Sequence, residues 1–225
     1  MHPLYSFQGP QMSKTKTSRS LIIALVVLML AMATGGWILG SANPRSNFPS
    51  EASPEAGFAR DMQTHHQQAV QLSMIVREHS TNDAVRSFAY DIALTQQQQS
   101  GQMYAWLELW GLPQTGESMT WMSSLLSEDA GHSSHGNVTA GAEHTMDSMG
   151  MASPEEIQKL TAARGAAADK QFLTLMIAHH HGGVEMAQAY LQRGDDPMVT
   201  SFANKIIMTQ QAEISALTQL LTQLS

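Results

Sequence analysis

The stretch Phe58-Ala59-Arg60-Asp61-Met62-Gln63-Thr64-His65-His66 returns 114 positions later as Phe172-Leu173-Thr174-Leu175-Met176-Ile177-Ala178-His179-His180. The register holds without a gap from Phe58–Leu107 to Phe172–Leu221. Met62 falls on Met176, His65-His66 on His179-His180, Ser87-Phe88-Ala89 on Ser201-Phe202-Ala203, and Thr95-Gln96-Gln97 on Thr209-Gln210-Gln211. One fixed offset over so long a match marks an internal duplication, so the fold is one unit used twice.

Each unit reads as a helical hairpin. In the first, Ser53-Pro54-Glu55 is a start signal, with serine as cap and proline at the first helical position. That helix is expected to reach about His79. Ser80-Thr81-Asn82-Asp83 breaks it, and Asn82 caps a second helix ending at Trp110-Gly111, before Pro113. In the second unit, Ser153-Pro154-Glu155-Glu156 is a capping box. Its helix is expected to run to Arg193-Gly194 with a kink near Gly165, and Asp196-Pro197 opens the last one. Val85, Phe88, Ile92, Leu94 and Met103 recur at the three-to-four-residue steps of an amphipathic helix. The expected fold is therefore all-α, a four-helix bundle of two hairpins, residues 53–111 and 153–225, packed apolar face to apolar face. The crossover between them, residues 112–152, is rich in Gly, Ser, Met and His, and Met119–Asp129 can form one short helix within it.

Ahead of the repeat, residues 21–40 are an uncharged stretch, LIIALVVLMLAMATGGWILG, preceded by Lys14, Lys16 and Arg19. Its length matches the roughly 20 residues that span a bilayer. The cations before it place residues 1–20 in the cytoplasm and everything after residue 40 outside. Gly40-Ser41-Ala42 also offers the small residues of a signal-peptide cleavage site. The run exceeds the roughly 7–15 residues of a signal core, which favours a retained single-pass anchor over secretion after cleavage. Residues 41–52 read as a linker.

Composition removes several classes. A net charge of -7 argues against a nucleic-acid partner, which needs clustered cations. The absence of cysteine excludes disulfides, thiolate metal sites and a cysteine nucleophile. What stands out is 16 Met together with 10 His, because thioether and imidazole are both transition-metal ligands.

Residues three and four apart share a helix face. Met62 is therefore flanked by His65 and His66, and Met176 by His179 and His180. The second copy adds His181 and, beyond Gly182-Gly183, Met186. A glycine pair in mid-helix costs about 1 kcal/mol per residue relative to alanine and suits the close approach of a backbone or ligand. Met62, His65, His66, Met176, His179, His180 and Met186 are the expected metal ligands. His181 and the crossover residues Met119, Met122, His132, His135, His144, Met146, Met149 and Met151 form a second tier, and Trp121 can lay its ring face on a bound monovalent cation. Met74, Met103, Met198 and Met208 are taken as packing or surface residues. Thioethers select Cu(I) and by extension Ag(I), while imidazole also serves Cu(II). A di-iron bundle requires Glu-x-x-His on two helices, and no glutamate here is followed three residues later by histidine. His-Glu-x-x-His is absent too, so no enzymatic signature emerges. The competing reading is a metal-free scaffold of a membrane complex in which the histidine pairs are polar packing, and a copper- or iron-dependent oxidase comes third.

The strings Asp61-Met62-x-x-His65-His66-x-x-Ala69-Val70 and Met176-Ile177-x-His179-His180-x-Gly182-Gly183-Val184-x-Met186-Ala187 strongly resemble the family called domain of unknown function 305. So do Thr95-Gln96-Gln97, Thr209-Gln210-Gln211-x-Glu213-Ile214 and Trp106-Leu107-x-Leu109-Trp110-Gly111. The resemblance spans Phe58 to the C-terminus. It implies a ferritin-like four-helix bundle in a secreted or membrane-anchored protein, and for some relatives copper and silver binding in metal tolerance. The first copy departs from the family pattern, with Gln63-Thr64 where Ile-Pro is common and Leu72 where Met is common. On this reading the second copy is richer in ligands. The expected function is an extracytoplasmic protein that sequesters or passes on Cu(I) without turnover. Its protein partners, including a second copy of itself, stay open.

Overall fold

Each helix of the first hairpin starts where a side chain satisfies the free amides of its first turn. In α1, Pro54–His79, the Ser53 hydroxyl accepts the Ala56 amide at 3.3 Å. In α2, Asp83–Trp110, Asn82 accepts the amides of Ala84 and Val85, and the helix ends on Gly111 in the left-handed region at φ 69°. A one-turn helix, α3, spans Thr120–Ser123, and a 3-10 turn covers Asp147–Met149. Helix α4, Pro154–Ala162, carries the full capping box: Ser153 Oγ accepts the Glu156 amide and Glu156 Oε2 accepts the Ser153 amide. Helices α5, Ala166–Leu191, and α6, Pro197–Gln223, complete the chain, the latter capped by Asp196. The computed structural model describes residues 28–29, 48–123 and 146–224, and there are no strands among them.

The kink expected near Gly165 is a complete break. Gly165 adopts φ 56°, and its amide donates to the His79 carbonyl at 2.9 Å. The chain leaves its helical path there to cap the C-terminal end of α1, which splits the helix into α4 and α5. The anchor expected at residues 21–40 lies outside the described residues apart from Leu28 and Met29, which are helical. Among the described residues no helix is long and apolar enough to cross a membrane. His132, His135 and His144 are also outside them.

Residues Phe48–Ser225 form one compact unit, in which α1 packs on α2, α5 on α6, and α1 on α5. Its core is divided. One apolar cluster joins Phe58 and Met62 of α1 to Met103 and Leu107 of α2, Met186 and Tyr190 of α5, and Phe202 and Ile206 of α6. The other joins Leu72 and Val76 of α1 to Val85 and Ile92 of α2, Phe172 and Met176 of α5, and Leu217 of α6. Since Met62 shares a cluster with Met186 and Leu72 one with Met176, α1 and α5 run antiparallel. Between the clusters in sequence, on all four long helices, sit the polar residues His65, His66, Gln96, Gln99, His179, His180, Gln210 and Glu213.

The start of the crossover is strapped over the first cluster. Trp121 packs closely against Gly57, where an added Cβ would meet its indole at 2.3 Å. Asp61 Oδ2 accepts both the Met119 amide, at 2.8 Å, and the Trp121 indole N–H, at 2.7 Å. Arg193 donates to the Met122 carbonyl at 2.9 Å, and Arg60 to that of Pro113 at 3.0 Å. Burial pushes the Asp61 carboxyl pKa up, against the pull of those two bonds. Asp61→Ala removes the acceptor for two buried donors and is expected to cost about 2–3 kcal/mol in urea unfolding, with red-shifted tryptophan emission. A loss no larger than that of an exposed carboxylate would show that the strap is not held by Asp61.

Candidate metal centre

Helix periodicity turns the adjacent histidines of α1 and α5 inward, and the crossing of the two helices brings the pairs together. His65, His66, His179 and His180 are all fully buried. His65 packs against His179 with ring centroids 3.6 Å apart and planes tilted by 31°, while each lies 6.3 Å from its own neighbour, His66 or His180. The result is a central imidazole pair flanked by one further ring on either side.

Each flanking ring is tied to the other helix of its own hairpin. His66 Nε2 lies 2.7 Å from Gln99 Oε1, and His180 Nε2 lies 2.7 Å from Glu213 Oε2. The repeat register aligns Gln99 with Glu213, so this is one contact made twice, once neutral and once to a carboxylate. His65 Nε2 lies 3.1 Å from the Met149 carbonyl. His179 makes no hydrogen bond of ordinary length with either nitrogen, the His65 backbone offering only a weak contact.

Desolvation dominates the electrostatics. Burial lowers His65 to about 4, the bond to the Met149 carbonyl opposing it and the His180 charge adding to it. Burial, then repulsion from His65, takes His66 to about 3. The same two causes hold His179 well below the usual histidine range. These rings stay neutral at physiological pH, the state in which imidazole binds a metal.

Of the other expected ligands, Met62, Met176 and Met186 are fully buried. Met186 does not join Met176, however. It lies in the cluster of Met62, Met103, Met119, Met122 and Met149, whereas Met176 is the methionine of the other cluster. The soft donors thus gather on the Met62 side. His181 is exposed, turned about 100° round the helix from His180. Met146 packs partly buried against the Met62 cluster, and Met151 is half-buried. Met103, taken from sequence as packing, belongs to the thioether-rich cluster, and Gln99, Glu213 and the Met149 carbonyl were not expected to touch the histidines. The repeat register pointed to the first two, since it pairs a glutamine with a glutamate one helix away from each His-His.

Gly182-Gly183 has the role expected of it. A Cβ on Gly182 would sit 1.7 Å from the Met149 carbonyl oxygen, and one on Gly183 would meet the Gln210 amide at 2.4 Å. The first glycine admits the backbone that supplies a partner to His65, and the second admits a polar side chain of the layer.

Among the described residues no group of three or more His, Asp or Glu side chains stands ready-made around a metal position. The donor chemistry nonetheless fits a soft cation. Nδ1 of all four histidines, and Nε2 of His179, are buried without a hydrogen-bond partner among the described residues. Thioethers occupy the adjoining cluster.

A duplicated, all-helical protein with a buried histidine layer is the class these features define. The chain belongs to the DUF305 family (domain of unknown function), whose profile matches residues 55–221. It is similar to a DUF305 protein of Streptomyces coelicolor described as a candidate secreted protein: 37% identity and TM-score 0.66, covering 78% of this chain and 96% of that one. A DUF305 fragment from Deinococcus radiodurans is 34% identical at TM-score 0.60, covering 76% and 96%. CopM in its Cu(II)-bound form is 20% identical at TM-score 0.55, covering 77% and 98%, and has also been solved bound to Cu(I) and to Ag. At that identity the likeness to CopM is one of fold. No curated protein matches the chain.

Proposed function

We propose that this protein is an extracytoplasmic metal-binding protein that sequesters or hands on Cu(I), and Ag(I) by the same chemistry, from a ferritin-like four-helix bundle anchored by residues 21–40. The observation that carries the reading is the layer of buried imidazoles whose Nδ1 atoms have no hydrogen-bond partner among the described residues, bordered by thioethers. Buried polar atoms without partners cost about 1–3 kcal/mol each, and a bound cation relieves that cost. Imidazole with thioether, and no thiolate, is a donor set for Cu(I) and Ag(I). The copper- and silver-bound forms of CopM on the same fold support this choice of metal. His65, His66, His179 and His180 are the nitrogen donors of this proposal. Met62 and Met176, each one helical turn before its histidine pair, and Met186 are its thioethers, and His181 is a surface residue outside it.

The test is competition of the full chain in detergent against a Cu(I) chelator, beside a His65→Asn, His179→Asn variant whose fold is checked by circular dichroism. The wild type is expected to withdraw Cu(I) and the folded variant to lose most of that capacity. Equal behaviour of the two would favour the metal-free scaffold, whose histidines are polar packing.

A further inference from the structure

The acceptors around the layer decide which nitrogen each histidine offers. A carboxylate or a backbone carbonyl can only accept, so the ring nitrogen facing it carries the proton. Glu213 therefore fixes the proton of His180 on Nε2, and the Met149 carbonyl does the same for His65. Gln99 Oε1 faces His66 Nε2 in the equivalent position of the repeat. A neutral imidazole with its proton on Nε2 keeps its lone pair on Nδ1. The Nδ1 atoms of these three rings are the ones buried without a partner among the described residues. Metal-bound histidines characteristically donate their other N–H to such an oxygen, which sets both tautomer and ring orientation.

We propose that Gln99, Glu213 and the Met149 carbonyl are positioning groups that lock His66, His180 and His65 as Nε2–H tautomers and present Nδ1 as the metal donor, with Glu213 matching the layer to a monovalent cation. The proposal rests on the copper-binding reading above and specifies its atoms and charge. Imidazoles that bind a metal through Nδ1 while keeping the Nε2 proton bring no charge, and neither do thioethers, a glutamine amide or a backbone carbonyl. Glu213 brings one negative charge, with its side chain 19% exposed. A bound Cu(I) or Ag(I) balances it, whereas Cu(II) or Zn(II) leaves a positive charge uncompensated in a dry layer, which is costly. The aligned Gln99 withholds the second carboxylate that a divalent ion would need.

Nitrogen-15 NMR of the histidine rings in the full chain, first without metal and then with Ag(I), tests this directly. His65, His66 and His180 are expected as Nε2–H tautomers before metal is added, and the silver coupling is expected at Nδ1. Glu213→Gln, isosteric and at the edge of the layer, is expected to weaken Ag(I) and Cu(I) binding about 10- to 100-fold. Glu213→Asp should recover part of that loss, and Gln99→Glu should shift preference toward Zn(II). Nδ1–H tautomers in the metal-free protein, or silver coupling at Nε2, would overturn the tautomer lock. Unchanged Ag(I) and Zn(II) affinities in Glu213→Gln and Gln99→Glu would overturn the charge match. A wild type that binds neither Cu(I) nor Ag(I) overturns the copper function itself, an outcome separate from the metal-free tautomers.

Discussion

Acidification from about pH 7.5 to about pH 5 is expected to strip the metal-free protein of most of its stability. His65 and His66 hold folded pKa values of about 4 and about 3 against an ordinary 6.5, and His179 is also lowered. The unfolded chain takes up protons at these positions near pH 6.5, while the folded layer refuses them until far lower. Between those limits the unfolded state binds more protons, so stability is complete above the ordinary histidine range and falls as pH drops through it. Each unit of difference is worth about 1.4 kcal/mol, so His65 and His66 each withdraw about 2 kcal/mol by about pH 5 and more below it. Asp61 works in the opposite sense, because a raised carboxyl pKa favours the folded state on acidification, but it is one group against three. Against a total of about 5–15 kcal/mol for a typical domain, the histidine term is enough to unfold the protein. Urea unfolding followed by helical circular dichroism across this pH range gives the answer. A flat stability between about pH 7 and pH 5 would mean that the rings are not shielded from water as the fold implies.

The second large effect is a methyl group. Gly182→Ala places a Cβ 1.7 Å from the Met149 carbonyl oxygen and 2.2 Å from its carbon, both backbone atoms that no side-chain rotation can clear. Gly150, at φ 73°, approaches the Ala178 carbonyl from the other side, so the contact is backbone against backbone in both directions. Alanine gains about 1 kcal/mol of helix propensity in mid-helix, and the overlap costs more. The 146–150 segment must lift off α5, and His65 loses its acceptor with it. A net destabilisation of about 2–3 kcal/mol is expected, together with a change in the His65 tautomer. Gly101→Ala is the control, since that mid-helix glycine of α2 has nothing within 4 Å and the substitution should stabilise the protein. If the two alanines behave alike in urea unfolding, the close approach at Gly182 carries no energy.

The helices were legible because local chemistry sets them. Ser53, Asn82, Ser153, Asp196 and Gly111 each satisfy or end a helix with their own atoms, and no distant residue is needed to recognise them. Gly165 was half legible. A glycine there signals a weak point, but a full break follows only because its amide finds the His79 carbonyl, a tertiary contact. The histidine pairs were legible as a repeated pattern, and their inward direction follows from helical period. What the pattern could not give was which neighbours they meet. Treating each copy as its own site grouped Met186 with Met176, whereas antiparallel crossing of α1 and α5 sets each copy's downstream position against the other copy's upstream one. The Met149 carbonyl was beyond reach, because backbone atoms carry no sequence signature and its approach depends on the absent side chain at Gly182.

The contact of His65 with His179 carries a last consequence. These residues are equivalents in the repeat, and a residue touches its own equivalent only where a two-fold axis passes between them. The two hairpins therefore meet as the identical halves of a symmetric dimer would, with the crossover as a tether that keeps them at high effective concentration. In a true dimer any substitution appears on both sides at once. Joined in one chain, the halves are free to differ, and they do so beside the axis: glutamate opposite glutamine at 213 and 99, methionine opposite leucine at 186 and 72. Tethering is what lets equivalent positions of a symmetric bundle carry a carboxylate in one half and an amide in the other, a thioether in one and a hydrocarbon in the other.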